Sequence, residues 1–144
     1  MKSEFSIPLI LLIVSTLVLT GCGGQRASAE GYGMTEFVEE LRANGVEADI
    51  GDPVQQAFFS VTGNYVNFNG ESVQVFEYDS AESMESDAVL VDSDGSSIGT
   101  SMVTWVATPH FYKKGRILVL YVGDNTETLE VLERALGPQF AGRE

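Results

Sequence analysis

An α+β fold, an antiparallel sheet with helices packed on one face, is predicted by three features of this 144-residue sequence. Asn69-Gly70 stands between two runs of β-forming residues and is the strongest short hairpin signal in the chain. Residues 117–122, Ile-Leu-Val-Leu-Tyr-Val, are apolar without alternation, the mark of a strand covered on both sides. Residues 125–136 space their apolar side chains at helical intervals and stop at Gly137-Pro138. Strand pairs that are each followed by a helix suggest an antiparallel sheet with the helices gathered on one face.

Taken in order, the chain opens on a polar start with Lys2 and Glu4, then an apolar run over residues 7–19. Its 13 residues make about 20 Å of helix at ~1.5 Å per residue, short of a ~30 Å hydrocarbon core and within the length of a signal-peptide apolar region. The run ends at Leu19-Thr20-Gly21-Cys22, where small residues leave the bond before Cys22 open to a peptidase. This stretch resembles the lipobox of bacterial lipoproteins. The resemblance implies a diacylglyceryl thioether on Cys22, cleavage after Gly21 and acylation of the new amino terminus. Residues 1–21 would then be a signal peptide, and the domain would work outside the cytoplasm, held to a membrane through acyl chains on Cys22. In a two-membrane cell, Gly23 rather than Asp after the cysteine implies the outer membrane; in a one-membrane cell the location is the outer face of the cell membrane.

Charge limits the partners. The sequence has 8 Lys and Arg against 21 Asp and Glu, a net charge of −13; the signal takes one of each sign and leaves that value unchanged. So acidic a chain argues against nucleic acid and against electrostatic adhesion to anionic lipid. Acyl chains, at ~0.8 kcal/mol per buried CH₂, are left to do the anchoring. The single cysteine is the acylation site, so the folded part is expected to carry neither a disulfide nor a thiol active site. Removing 21 of the 144 residues leaves 123, enough for one domain that buries about two-thirds of its unfolded surface.

Residues 22–33, rich in Gly, Ala and Ser, read as a flexible tether, and 34–144 as one globular domain. Thr35 can cap a helix carrying Phe37, Val38 and Leu41 on one face, with Asn44-Gly45 as its stop. A short strand over 46–50 and a Gly51-Asp52-Pro53 turn follow. Strands are expected over 57–61, 65–68 and 72–78, with Gly63-Asn64 and Asn69-Gly70 as turns. Asp79 and Glu82 have the spacing of a capping box for a helix through 88. Further on come strands over 102–107, 109–113 and 116–122, a Lys114-Gly115 turn, and the helix over 125–136. An offset of 45 residues lays Gly70 on Gly115, Val73 on Leu118, Val75 on Leu120, Phe76 on Tyr121 and Asp79 on Asp124. Two pseudo-repeated strand-strand-helix halves after an N-terminal helix would produce that echo. Helices on one face leave the other to loops or to a partner.

Three stretches could carry chemistry. Gly95-Ser96-Ser97-Ile98-Gly99 has the G-x-S-x-G pattern of serine hydrolases, which needs a strand-to-helix turn and an acid between the serine and its histidine. Here the following residues are strand-like and no acid lies between Ser97 and His110, so a Gly/Ser connecting loop is expected. Asp92-Ser93-Asp94-Gly95 is similar to part of a calcium loop, but Leu90 and Ser101 would then stand where carboxylates are required. The third stretch holds Trp105, His110, Phe111, Tyr112, Lys113, Lys114 and Arg116, the most aromatic and most basic region of the chain. It is read either as a docking surface of aromatics and cations or as a packed hairpin with solvated lysines. A single histidine without cysteine partners makes no metal site, and no cofactor is implied. The expected function is a membrane-anchored binding or interaction domain for a protein or small molecule rather than an enzyme. A small hydrolase using the Gly95–Gly99 loop and a passive envelope component are the alternatives.

Overall fold

The computed structural model describes residues 31–142, so Cys22 and the rest of the lipobox lie outside the described residues. Helix α1 (Met34–Ala43) leads into strands β1 (Ala48–Val54), β2 (Gly63–Phe68) and β3 (Glu71–Glu77), then helix α2 (Ala81–Ala88). A small hairpin, β4 (Ser97–Ile98) and β5 (Ser101–Met102), precedes β6 (Pro109–Lys114), β7 (Ile117–Val122), helix α3 (Thr126–Leu136) and β8 (Ala141–Gly142). The main sheet has six strands in the order β1-β2-β3-β7-β6-β8, each neighbouring pair antiparallel. This is the α+β class with helices against an antiparallel sheet. Among the described residues no helix is long and apolar enough to cross a membrane.

Local chemistry places the turns. Asn69 (φ 54°) and Gly70 (φ 76°) both adopt positive φ, as a two-residue type I′ hairpin demands. The β6–β7 turn is Gly115-Arg116, one residue later than expected, because Lys114 still pairs with Ile117. β7 sits in the middle of the sheet, and its residues 117–121 are buried. Ile117, Val119 and Tyr121 face one core, Leu118 and Leu120 the other.

Two helices, α1 and α3, share one face through Phe37, Val38, Leu41, Leu132 and Leu136. The third, α2, lies on the opposite face with Met84 and Ala88, together with Phe59, Val91, Ile98 and Trp105 from the connecting segments. The strand-strand-helix order does recur, as β2-β3-α2 and β6-β7-α3. Parity explains why the helices diverge. Val75 pairs with Val119 and Phe76 with Leu118, and directly opposed residues point to the same face. Odd positions of both strands therefore share a face, so an odd offset of 45 sends each residue's echo to the other side. Phe76 packs in the α2 core and its counterpart Tyr121 in the α1/α3 core.

Several boundaries differ from expectation. The domain begins before residue 34: Tyr32, placed in the tether by composition, is buried. Gly33, not Thr35, precedes α1, and the Glu36 carboxylate accepts its N–H at 2.8 Å. Gly51-Asp52-Pro53 is not a turn but part of β1, where the pairing register slips between Ile50 and Pro53. That edge position tolerates a residue with no N–H to donate. Residues 57–61 form a turn instead of a strand, which carries Phe59 onto Phe76 with ring centres 4.7 Å apart. Ser80, rather than the Asp79 and Glu82 pair, caps α2 by accepting the Ser83 N–H at 3.1 Å. Of residues 102–107 only Met102 is in a strand; the remainder is irregular chain that drives Trp105 inward and leaves Val106 fully exposed.

Candidate functional site

Alternation along β6 separates the expected docking residues instead of presenting them together. Phe111 points into the α2 core; Tyr112 points into the α1/α3 core, and His110 lies on that same side, opposite Tyr121. Trp105 is half-buried, edge-on to Phe58 and Phe111, and its Nε1–H donates to the Gly95 carbonyl at 2.6 Å.

The three cations are engaged within the fold. Lys113 pairs with Glu85 and lies over the Phe140 ring. Lys114 donates to Glu40 Oε2 at 2.9 Å and to the Ala135 carbonyl at 2.6 Å, with its Nζ 4.2 Å from the Tyr32 ring centre. Arg116 pairs with Glu77 at 2.9 Å and donates to the Tyr78 carbonyl at 3.0 Å, while its backbone N–H reaches the Tyr32 carbonyl. Glu77 in turn accepts the Met34 N–H at 2.9 Å. The basic hairpin thus clamps the chain's own segment leading into α1.

Ser97 belongs to the β4–β5 hairpin, where it pairs with Met102 and its carbonyl accepts the Asp92 N–H. That is a strand-turn-strand setting, not the strand-to-helix elbow of a hydrolase serine. The Asp92–Gly95 stretch is a self-bonded turn, with Gly95 N–H on the Asp92 carbonyl and Ser96 N–H on the Asp94 carboxylate. Among the described residues no three His, Cys, Asp or Glu side chains converge to hold a metal ion.

What does converge is a cleft of about 430 Å³ between β6, α3 and the residues just after α3. Thr126, Leu129, Glu130 and Glu133 line it from α3, spaced three to four residues apart so that they share a helix face. Asn125 sets the helix by accepting the Thr128 N–H, and Gly137 (φ 88°) ends it, turning Pro138 and Gln139 back over the sheet. His110 and Tyr112 form the floor.

His110 is 4% exposed, stacks on Tyr121 with ring centres 6.0 Å apart, and has Nδ1 2.7 Å from Gln139 Oε1. With that oxygen as acceptor, Nδ1 is the donor of the pair. The other ring nitrogen, Nε2, is buried without a hydrogen-bond partner among the described residues. The Tyr112 hydroxyl is pushed up to about 12, by burial and then by the nearby Glu133 carboxylate. The cleft therefore brings together an imidazole, a protonated phenol and two carboxylates. Glu130, Glu133 and Gln139 escaped the sequence reading; the only signal was their stripe on α3 and their position just past its stop.

A larger groove of about 760 Å³ runs beside residues 45–49 and the β2–β3 turn. Its polar side chains bond one another, Asn67 to Asp49 and Ser72 to Asn67, and it contains no buried orphan group. On the α2 face, Asp87 is buried and accepts from Ser60 N–H, Ser60 Oγ–H and Tyr78 O–H at 2.7, 2.8 and 2.9 Å, which makes it a structural staple.

Fold and cleft together define a small α+β domain with one acidic, histidine-floored cleft. Compared with family models, with curated proteins and with solved structures, the chain matches none.

Proposed function

We propose that this chain is a lipid-anchored extracytoplasmic domain that binds a small molecule in the α3–β6 cleft. The anchoring half of the reading rests on Leu19-Thr20-Gly21-Cys22. The binding half rests on one observation: His110, whose buried Nε2 has no hydrogen-bond partner among the described residues, lines an open cleft. An unmet buried polar atom costs on the order of 1–3 kcal/mol, and a ligand donor would recover that loss. A binding role is favoured over the hydrolase alternative because Ser97 is held in a hairpin, with its carbonyl in the turn network.

His110 is the sole histidine, so its imidazole proton resonances report on the cleft without ambiguity. The test is to purify the full-length chain in detergent micelles and follow those resonances while adding the small-molecule fraction of its own cells. Saturable movement supports binding in the cleft; fixed resonances across all fractions overturn it. In parallel, Cys22→Ser should move the chain from the membrane to the soluble fraction, and continued membrane retention would overturn the anchoring half.

A further inference from the structure

We propose that Asn69 is a site of spontaneous modification, an asparagine that the folded chain converts through a succinimide to aspartate and isoaspartate. In this reaction the Gly70 peptide nitrogen gives up its proton to water and attacks the Asn69 side-chain amide carbon. Ammonia leaves and the succinimide ring closes; water then adds to either ring carbonyl and reopens it. Water is consumed, ammonia is released, and no other reactant is needed.

Glycine after asparagine leaves the attacking nitrogen unscreened by a side chain, and the sequence has two such pairs, Asn44-Gly45 and Asn69-Gly70. All four residues are exposed, so hydrogen bonding separates the pairs. At the end of α1 both reacting groups are tied: Asn44 Nδ2–H donates to the Glu40 carbonyl at 2.7 Å, and the Gly45 N–H to the Arg42 carbonyl at 3.0 Å. At the β2–β3 turn the Gly70 N–H meets no acceptor among the described residues. The Asn69 amide makes one long contact there, Nδ2 to Glu127 Oε1 at 3.5 Å. Beyond its chain neighbours, no atom stands within 4 Å of where a Gly70 Cβ would lie, so the ring has room. Ring closure requires Asn69 to leave its left-handed conformation. That opening is local, because Phe68–Glu71 is the last β2–β3 pair before the turn. Freeing Asn44 undoes the C-terminal cap of α1 instead. The aspartate product faces Glu127 and adjoins Glu71, so like charges replace the amide contact and loosen the turn from α3.

The test is to hold the full-length chain in detergent micelles in warm, mildly alkaline buffer, digest aliquots over time and measure amide-to-acid conversion at both sites by mass spectrometry. Each folded rate is divided by the rate of the same site in the urea-unfolded chain, which removes the effect of neighbouring sequence. The expected ratio is several-fold higher at Asn69 than at Asn44. An endoprotease that cuts before aspartate but not before isoaspartate should leave part of the Asn69 product uncut. Equal ratios, or a higher one at Asn44, would overturn the proposal. So would an Asn69 that stays intact in the folded chain while the unfolded chain converts, or a product that is wholly aspartate, which excludes the succinimide. None of these outcomes depends on whether the α3–β6 cleft binds a ligand.

Discussion

Lys114 lies over the ring of Tyr32, its Nζ 4.2 Å from the ring centre, and the same Glu40 oxygen accepts from both side chains. This contact ties the β6–β7 turn to the segment entering α1 and sets where the folded domain begins. Tyr32→Ala should cost about 3 kcal/mol, as for other buried aromatic truncations. Lys114→Met keeps the stem and removes the charge, and should cost about 1 kcal/mol. Urea denaturation measures both; faster amide exchange at Arg116, whose N–H bonds to the Tyr32 carbonyl, would locate the effect. Wild-type stability in Tyr32→Ala would show that the clamp does not hold the fold.

Asp87 gathers three donors on one carboxylate oxygen. Asp87→Ala strands the buried Tyr78 hydroxyl, while the exposed Ser60 can turn to water, and should destabilise by roughly 1–3 kcal/mol. Tyr78→Phe removes one donor and should cost about 1 kcal/mol, with strong non-additivity in the double variant. Additive effects would indicate that the two side chains act independently.

Alkaline pH should unfold this domain early. Tyr32, Tyr78 and Tyr112 are all held above the ordinary tyrosine range, in each case chiefly by burial and then by a neighbouring carboxylate, Glu40, Asp87 and Glu133 respectively. In the unfolded chain they ionise near ~10, whereas Tyr112 in the folded chain titrates at about 12. Between those values the folded state binds more protons than the unfolded one, so stability is fully present below ~10 and falls as pH rises. The urea midpoint should be level from about pH 8 to 9.5 and drop beyond, less steeply in Tyr112→Phe. A level midpoint to about pH 11.5 would contradict this.

Gly95 and Ser97 separate the structural and catalytic readings of their loop. Gly95 has φ +70°, and a Cβ there would sit 2.8 Å from the Phe111 ring. Gly95→Ala should therefore cost about 2 kcal/mol through backbone strain and overpacking. Ser97→Ala should stay within about 0.5 kcal/mol and change no binding in the cleft. Loss of a measurable hydrolytic activity in Ser97→Ala would revive the serine-hydrolase alternative.

Much of the local structure is legible in the residues themselves. Asn69-Gly70 specifies its turn because few other pairs tolerate two positive φ values, and the unbroken apolar run of β7 specifies a central strand. The limits are equally concrete. The Gly51-Asp52-Pro53 stretch has turn composition yet lies in β1, because an edge strand with a register slip admits it. Trp105, Lys113, Lys114 and Arg116 have the composition of a docking surface. Their partners, Gly95, Glu85, Glu40 and Glu77, lie 10 to 74 residues away along the chain.

By itself the sequence determined the α+β class, the hairpin at residue 69, the central strand, the capped last helix and the likeness of residues 19–22 to a lipobox. These depend on backbone preferences and apolar spacing, which act over a few residues. Only the tertiary structure decided which helix covers which face, since that turns on the parity of the β3–β7 register. It alone directed the basic hairpin onto Tyr32 and set His110 in a cleft that Glu130 and Glu133 of α3 also line. Those outcomes depend on contacts between distant segments, and residue types in a line do not record which distant segments meet.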